Sequence, residues 1–506
     1  MSDTYSFGLV LAVTAVVGLV AVLSSRLTQR VRVPAPALFL IGTAIADEIV
    51  PSLRAPSEQV LQRVVTVALI LILFDGGMRI GWPRFRSAAA PIAVVGVVGT
   101  FLTVGAVGLF VHFAFGLAWY ASLLVATAIA PTDPAVVFSV LGQREISGRS
   151  GTILEGESGA NDPVGISLMA SLVAAGGLSL AAFGRIGGEF VLQMVVGASV
   201  GVIGGKALIW FMRRVALPSE GLYPLRSLAG VVALFGATTA AHGSGFLAVF
   251  AAGIIVGDEP APYKRDIERF HSALASLGEI VAFVVLGLTV NLNVLARTDV
   301  WIPGLVVGVV LAAVARPILV GICLIPARLK RNQRDFVLFA GLKGAVPILL
   351  GSFIFEAHLA DAERLYGIIV VVVVLSVVAQ GGLVPAVAQR LRLPMRTIEV
   401  EPWALGVRLR HDPDGVHELT ITTGSPADGV SIDDLEDFPA DAWISLVVRG
   451  GHLVAVSGDT ELQGGDRVLV LAPPDRRDEL IDLFETIRQD PPPPDVTGTS
   501  SEGSSQ

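Results

Sequence analysis

The sequence predicts an all-α polytopic membrane protein followed by a small α+β domain, and three observations carry that prediction. Apolar residues arrive in blocks of roughly 17 to 25 between short polar stretches, the length that spans a bilayer core as helix. Hydrophobic residues make up 53% of the 506-residue chain and charged residues only 16%, where soluble proteins carry about 25% charge. From about Trp403 to Pro473 the pattern changes to short strand-like runs between turn residues, and from Thr397 the charge balance inverts. Residues 397–506 hold 22 acidic and 7 basic side chains, against 22 and 29 before that point. The expected organisation is a membrane domain over 1–396, a cytoplasmic domain over 397–490 and a disordered Pro/Ser/Gly-rich tail over 491–506.

Thirteen spans are expected, beginning near Phe7, Pro34, Val60, Pro91, Trp119, Gly151, Phe190, Tyr223, Gly243, His271, Trp301, Asp335 and Tyr366. The N-terminus runs from Met1-Ser2-Asp3 directly into the first block without a basic region, which reads as a membrane helix rather than a cleaved signal peptide. Odd-numbered loops carry clustered arginine and lysine, among them Arg26, Arg30 and Arg32, then Arg213, Arg214 and Arg226, then Arg328, Lys330, Arg331 and Arg334. Even-numbered loops carry single charges, such as Arg54, Arg185, Arg297 and Arg364. Positive charge marks the cytoplasmic side. The expected location is therefore the bacterial inner membrane, with the N-terminus outside and the C-terminus inside. The lone cysteine, Cys323, excludes an intrachain disulfide. No basic stripe interleaved with aromatics points to nucleic acid.

Ionisable residues deep in a membrane helix are costly and mark function. Charges near span ends, such as Asp47, Asp75 and Lys206, read as interfacial or snorkelling side chains. Three clusters do not. In Ala130-Pro131-Thr132-Asp133-Pro134, two prolines break the fifth span and free carbonyls beside the Thr132 hydroxyl and the Asp133 carboxylate. Such oxygens suit a hard monovalent cation, and irregular backbone at this depth lines a cavity or is buried in protein. In the sixth span, Glu155, Glu157 and Asp162 lie within eight residues. At about 100° per residue, Glu155, Ser158 and Asp162 share one face, while Glu157 and Asn161 lie together elsewhere. A carboxylate in this cluster lets H⁺ and a cation compete for one site. In the twelfth span, Gly341-Leu342-Lys343-Gly344-Ala345-Val346-Pro347 loosens the helix around a buried cation. Lys343 is expected to neutralise Glu155 or Asp133, and Arg316 to pair with Glu157. The interrupted spans, five and twelve, occupy corresponding places in two inverted six-helix repeats, the pattern in which broken helices meet at the midplane to build a transport site.

At these residues the sequence resembles the cation:proton antiporter superfamily, in the NhaP-like branch that includes potassium/proton antiporters of the cell-volume-regulation type. The likeness runs from about Phe7 to Arg396. Thr132-Asp133-Pro134 resembles the family's unwound segment, Glu157-Ser158 with Asn161-Asp162 its ESxxND signature, and Gly341 to Ala345 its GLRGA segment, with lysine replacing the usual arginine at 343. The resemblance implies that Asp162 alternates between proton and cation. Thr132, Asp133, Ser158 and Glu157 would help form the cation shell, and Asn161-Asp162 would signify electroneutral exchange of K⁺, or Na⁺, for H⁺. By the same resemblance Glu157 and Arg316 form a buried pair. No cofactor is expected beyond the transported ions. A cation channel lacks a TVGYG-like filter here. An intramembrane aspartyl protease built on Asp133 and Asp162 leaves Glu157, Arg316 and Lys343 unexplained.

In the C-terminal domain, Leu419-Thr420-Ile421, Trp443 to Val448, His452 to Val456 and Arg467 to Leu471 read as strands, Gly450-Gly451 as a hairpin turn, and Asp475 to Arg488 as a helix. The region from Val447 to Asp466 resembles the TrkA-C (RCK-C) regulatory domain, with no GxGxxG fingerprint before it. That resemblance implies a homodimer in the lipid bilayer, with a small-molecule regulator at this domain.

Overall fold

The computed structural model describes residues 34–49, 57–141, 144–146, 148–393, 395–397, 415–435, 437–450 and 452–486. The span expected from Phe7 and the tail from residue 491 lie outside the described residues. The chain forms two compact units, Met1–Ile398 and Glu399–Gln506.

The first unit is helical. Its described helices are α1 (Ala35–Ile49), α2 (Glu58–Ala93), α3 (Thr100–Phe115), α4 (Trp119–Ile129), α5 (Pro134–Leu141), α6 (Arg149–Ala175), α7 (Leu180–Arg214), α8 (Leu222–Ala240) and α9 (Gly245–Gly257). There follow α10 (Lys264–Gly287), α11 (Leu292–Leu295), α12 (Thr298–Val310), α13 (Arg316–Cys323), α14 (Arg331–Phe339), α15 (Ala345–Glu356), α16 (Ala362–Val374) and α17 (Gly381–Arg390). Among the described residues, six stretches are long and apolar enough to cross a membrane: Glu58–Phe115, Trp119–Leu141, Leu180–Arg214, Lys264–Gly287, Thr298–Cys323 and Ala362–Arg390. Gly245–Gly257 and Ala345–Glu356 are shorter apolar helices. The long stretch from Glu58 kinks at Gly81, whose φ of 65° lies outside the helical range. Among the described residues, three π-helical turns, Val94–Gly99, Leu311–Ala315 and Leu375–Gln380, join helices without ending them.

Burial separates the helices by role. Nearly every residue of α6 from Ser150 to Leu172 is buried, as is α15 from Ala345 to Ser352. A helix buried on every face lies inside the bundle. By contrast α7 exposes Val191, Val195, Ile203 and Trp210. It begins ten residues before the expected Phe190, because Ser179 Oγ accepts from Ala182 N at 3.1 Å and caps a turn that the sequence presents as glycine-rich and polar. A short antiparallel pair that the sequence did not announce joins β1 (Arg144–Ile146) to β2 (Met395–Thr397).

The second unit holds a four-stranded antiparallel sheet in the order β3 (Val416–Thr420), β6 (Arg467–Leu471), β4 (Trp443–Arg449) and β5 (His452–Val454). Arg449 pairs with His452 across a hairpin that turns at Gly450, where φ is 55°. The helix is shorter than expected, Arg477–Phe484, and buries Leu480, Leu483 and Phe484 with Leu419, Val468 and Val470 of the sheet.

Candidate functional site

The two prolines stop α4 at Ile129 and let α5 begin on Pro134, a residue suited to a first helical turn because its missing N–H would have no partner there. Between α14 and α15 the chain is non-helical from Ala340 to Gly344. The two breaks meet: Asp133 N donates to the carbonyl of Leu342 at 2.8 Å. Glycine makes the approach possible. A Cβ on Gly344 would lie 1.9 Å from Asp133 Oδ2, and one on Gly341 would lie 1.9 Å from Arg316 Cζ.

Three of the freed helix ends have found partners. Lys343 Nζ donates to the carbonyls of Ala130 at 2.9 Å and Pro131 at 3.0 Å, at the C-terminal end of α4. Arg316 donates from Nε to Leu338 O at 2.9 Å and from Nη2 to Val337 O at 3.0 Å, at the end of α14. Cations at helix C-termini oppose the negative end of the macrodipole. Asp133 Oδ1 in turn accepts from Ala135 N at 2.8 Å, in the first turn of α5, where the dipole favours an anion.

Arg316 also forms a buried two-pronged pair with Glu157, at 2.7 Å to Oε1 and 3.0 Å to Oε2. Asn161 ties α6 to the first break: its Nδ2 donates to Thr132 Oγ1 at 2.8 Å, and its Oδ1 accepts from Thr132 N at 3.3 Å. The ideal helical wheel separates Glu157 and Asn161 from Asp162, and α6 uses the separation: the first two make these ties while Asp162 remains apart. Ser158 and Asp162 are buried one turn from each other. Among the described residues Ser158 makes no side-chain hydrogen bond, and Asp162 Oδ1, fully shielded, has no hydrogen-bond partner. A buried polar atom left unmatched costs about 1–3 kcal/mol, more when charged. A proton or a bound cation removes that cost.

Two expectations need correction. Lys343 does not meet Glu155 or Asp133; its ammonium reaches the carbonyls of Ala130 and Pro131 because a broken helix end presents concentrated negative dipole at closer range. Those carbonyls are consequently not open ligands for an ion in this conformation. Glu155 instead approaches Arg84 Nη2 at 3.5 Å. Asp75 is not an interfacial side chain either: it is buried and accepts from Arg79 Nε at 2.7 Å, while Arg79 Nη2 donates to Ser272 Oγ at 2.9 Å.

Sequence reasoning missed Ser376 and Gln380 in the π-helical turn that leads into α17. Lys343 N donates to Ser376 Oγ at 3.0 Å, Ser376 Oγ to Gln380 Oε1 at 3.1 Å, and Gln380 Nε2 to Phe339 O at 2.5 Å. Two polar residues four apart in an otherwise aliphatic span were the available signal. Glu279 in α10, also unremarked, has a buried Oε1 without a hydrogen-bond partner among the described residues. A cavity of about 360 Å³ borders Arg316, Lys343, Ser376 and Gln380.

In the second unit Arg449 donates to both oxygens of Asp466, at 2.9 and 2.7 Å, and Gln463 N adds a third bond at 3.0 Å. Burial opposes ionisation of Asp466, but the Arg449 guanidinium and the Gln463 N–H outweigh it and hold the carboxyl below its usual range.

Known proteins share both parts of this architecture. The transmembrane sodium/hydrogen exchanger family matches residues 11–390, and the TrkA-C domain family matches residues 416–485. The K(+)/H(+) antiporter NhaP of Alkalimonas amylolytica is 34% identical over 473 residues, covering 92% of this chain and 81% of that protein. The K(+)/H(+) antiporter NhaP2 of Shewanella oneidensis is 30% identical over 494 residues, covering 95% and 84%. The solved structure of the sodium proton antiporter MjNhaP1 from Methanocaldococcus jannaschii superposes with a TM-score of 0.64 at 21% identity, over 76% of this chain and 99% of that one, and so shares the fold. The chain belongs to the sodium/hydrogen exchanger family: it is a polytopic cation/proton antiporter with a TrkA-C domain at its C-terminus.

Proposed function

We propose that the protein exchanges one monovalent cation, K⁺ in preference to Na⁺, for one proton across the bacterial inner membrane, and so serves cation, pH and volume homeostasis. The observation that carries this reading is the unmatched oxygen of Asp162 beside a crossing where Lys343 and Arg316 already hold the C-terminal ends of α4 and α14. Asp162 takes the proton and the cation in turn. Thr132, Asp133 and Ser158 supply further oxygens, Asn161 fixes the Thr132 segment, and Glu157 serves chiefly to hold Arg316.

Charge counting supports one-for-one exchange. Glu157 and Arg316 cancel. Asp133 and Asp162 against Lys343 leave one negative charge among the groups at the crossing, which one H⁺ or one K⁺ removes. Both loaded forms then carry the same charge. The preference for K⁺ rests on relatives named K(+)/H(+) antiporters at 30–34% identity, whereas the Na(+)/H(+) antiporter NhaH of Halobacillus dabanensis is 25% identical over 366 residues. Thirteen spans in two inverted six-helix repeats, with the N-terminus outside and the C-terminus cytoplasmic, fit the loop charges and the breaks in the fifth and twelfth spans. A homodimer whose TrkA-C domain binds a small-molecule regulator completes the reading.

Proton-coupled ⁸⁶Rb⁺ and ²²Na⁺ flux in proteoliposomes tests it. Wild-type protein should exchange Rb⁺ faster than Na⁺, independently of membrane potential. Asp162→Asn should abolish exchange while leaving insertion and thermal stability intact. Appreciable proton-coupled flux in that variant sinks the assignment.

A further inference from the structure

The last two turns of α7 present Lys206, Trp210 and Arg213 at spacings of four and three, which puts them on one face of the helix. They border an open cavity of about 610 Å³ that also takes in Arg214, Trp82 and Glu259. Arg213 is engaged: Nη2 donates to Glu259 Oε2 at 2.6 Å and Nε to Pro260 O at 3.0 Å. Lys206 and Arg214 are exposed and make no hydrogen bond or ion pair among the described residues. The cavity thus has two uncompensated positive charges at its rim. Its walls are apolar, from Val202, Ile209 and Ile255, and two tryptophans stand exposed at its edge, Trp82 by 47% and Trp210 by 62%.

We propose that this cavity binds an anionic phospholipid of the leaflet on the Arg213–Arg214 side. A free anion would use the basic rim and leave the apolar walls unexplained, and a neutral lipid would leave the two cations unexplained. A phosphodiester headgroup against Lys206 and Arg214, with an acyl chain along Val202, Ile209 and Ile255, uses both. Three further features agree. Tryptophan favours the membrane interface. Basic pockets between helices on the cytoplasmic side receive anionic headgroups. The remainder of α7 exposes Val191, Val195 and Ile203, as a helix bordering lipid does.

Native mass spectrometry of the full-length protein, titrated with phosphatidylglycerol or phosphatidylcholine, tests the site. Each basic residue near an anionic surface contributes about 1 kcal/mol, so Lys206→Gln/Arg214→Gln should bind phosphatidylglycerol about 30-fold more weakly. Lys330→Gln/Arg331→Gln, which removes two exposed charges elsewhere, should bind it as wild type does, and phosphatidylcholine should not discriminate among the three proteins. Trp210→Ala, which keeps all the charges, should also weaken phosphatidylglycerol binding and covers the case in which the double variant fails to fold. Wild-type retention of phosphatidylglycerol by the Lys206/Arg214 variant, or an equal loss in the Lys330/Arg331 control, overturns the proposal. So does displacement of the lipid by millimolar inorganic phosphate, which would identify a free-anion site.

Discussion

Replacing Arg316 with glutamine should be the most damaging single neutral substitution at the crossing, and the structure says by how much. Arg316 makes four hydrogen bonds, two to Glu157 and two to the carbonyls that end α14. Its removal strands a buried carboxylate, at a cost of about 3–5 kcal/mol, and leaves Leu338 and Val337 carbonyls to find new donors. Glu157→Gln is milder. Arg316 keeps both carbonyls, which compensate its guanidinium in part, so stranding that charge costs toward the low end of the same range, about 3 kcal/mol. The double variant Glu157→Gln/Arg316→Gln removes both charges together and should be more stable than Arg316→Gln alone. The expected coupling is therefore at least about 1 kcal/mol, beyond the range in which independent sites add. Reversible unfolding in mixed micelles gives the free energies, and tryptophan-monitored thermal midpoints give their order where unfolding is irreversible. Additive effects in the cycle refute the reasoning, as does a double variant less stable than either single.

Lys343→Gln should make exchange respond to membrane potential, because the crossing then carries one more negative charge than a single cation neutralises; rates that stay flat across membrane potentials imposed without a K⁺ ionophore contradict the charge count. In a fragment spanning 397–490, Asp466→Asn should flatten the acid limb of stability. The wild-type contribution is fully present above the unfolded carboxyl value of about 3.9 and is lost as pH falls through the depressed folded value. An unchanged acid midpoint in pH-dependent circular dichroism would remove Arg449–Asp466 from that role. Truncation after Ile398, which spares the β1–β2 pair, should leave exchange intact and alter only its pH or ligand dependence; complete loss in a folded truncation would make the tail part of transport itself.

The membrane helices and their two breaks were legible because both rest on local chemistry. Aliphatic runs report spans directly, and Pro131, Pro134, Gly341 and Gly344 announce where helix cannot continue. Arg316 and Glu157 stood out because charge is rare in such runs. The partner of Lys343 was not legible, since a sequence displays charged side chains but not the dipole of a helix end. Ser376 and Gln380 escaped for a related reason. Their bonds, to Lys343 N and Phe339 O, join residues more than thirty positions apart, and the π-helical turn that aims them sits in an unbroken apolar run. π-Helical turns recur at functional sites. In the soluble unit the strands showed by alternation. The β1–β2 pair did not, because three-residue strands far apart in sequence carry no periodic signal.

The half-helix ends at the crossing bear directly on the proposal that Asp162 governs exchange. The α4 end is held by Lys343 and the α14 end by Arg316 and Gln380; the α5 start is held by Asp133, and Lys343 N, just before α15, by Ser376. Each of these partners is a protein group. These ties also fix what must travel together. Lys343 links the second break to α4, Arg316 links α13 and α14 to Glu157 of α6, Asn161 links α6 to the first break, and Ser376 links the turn before α17. Parting any one of them exposes an unmatched charge or carbonyl in a low-dielectric interior, at a cost of roughly 1–5 kcal/mol. A motion that turns Asp162 from one side of the membrane to the other is cheaper if α4, α5, α6 and α13 to α17 move as one body against helices such as α1, α7 and α8. On the proposed function, Asp162 would then be the group in that body whose pairing changes, its occupant, proton or cation, deciding when the body can cross.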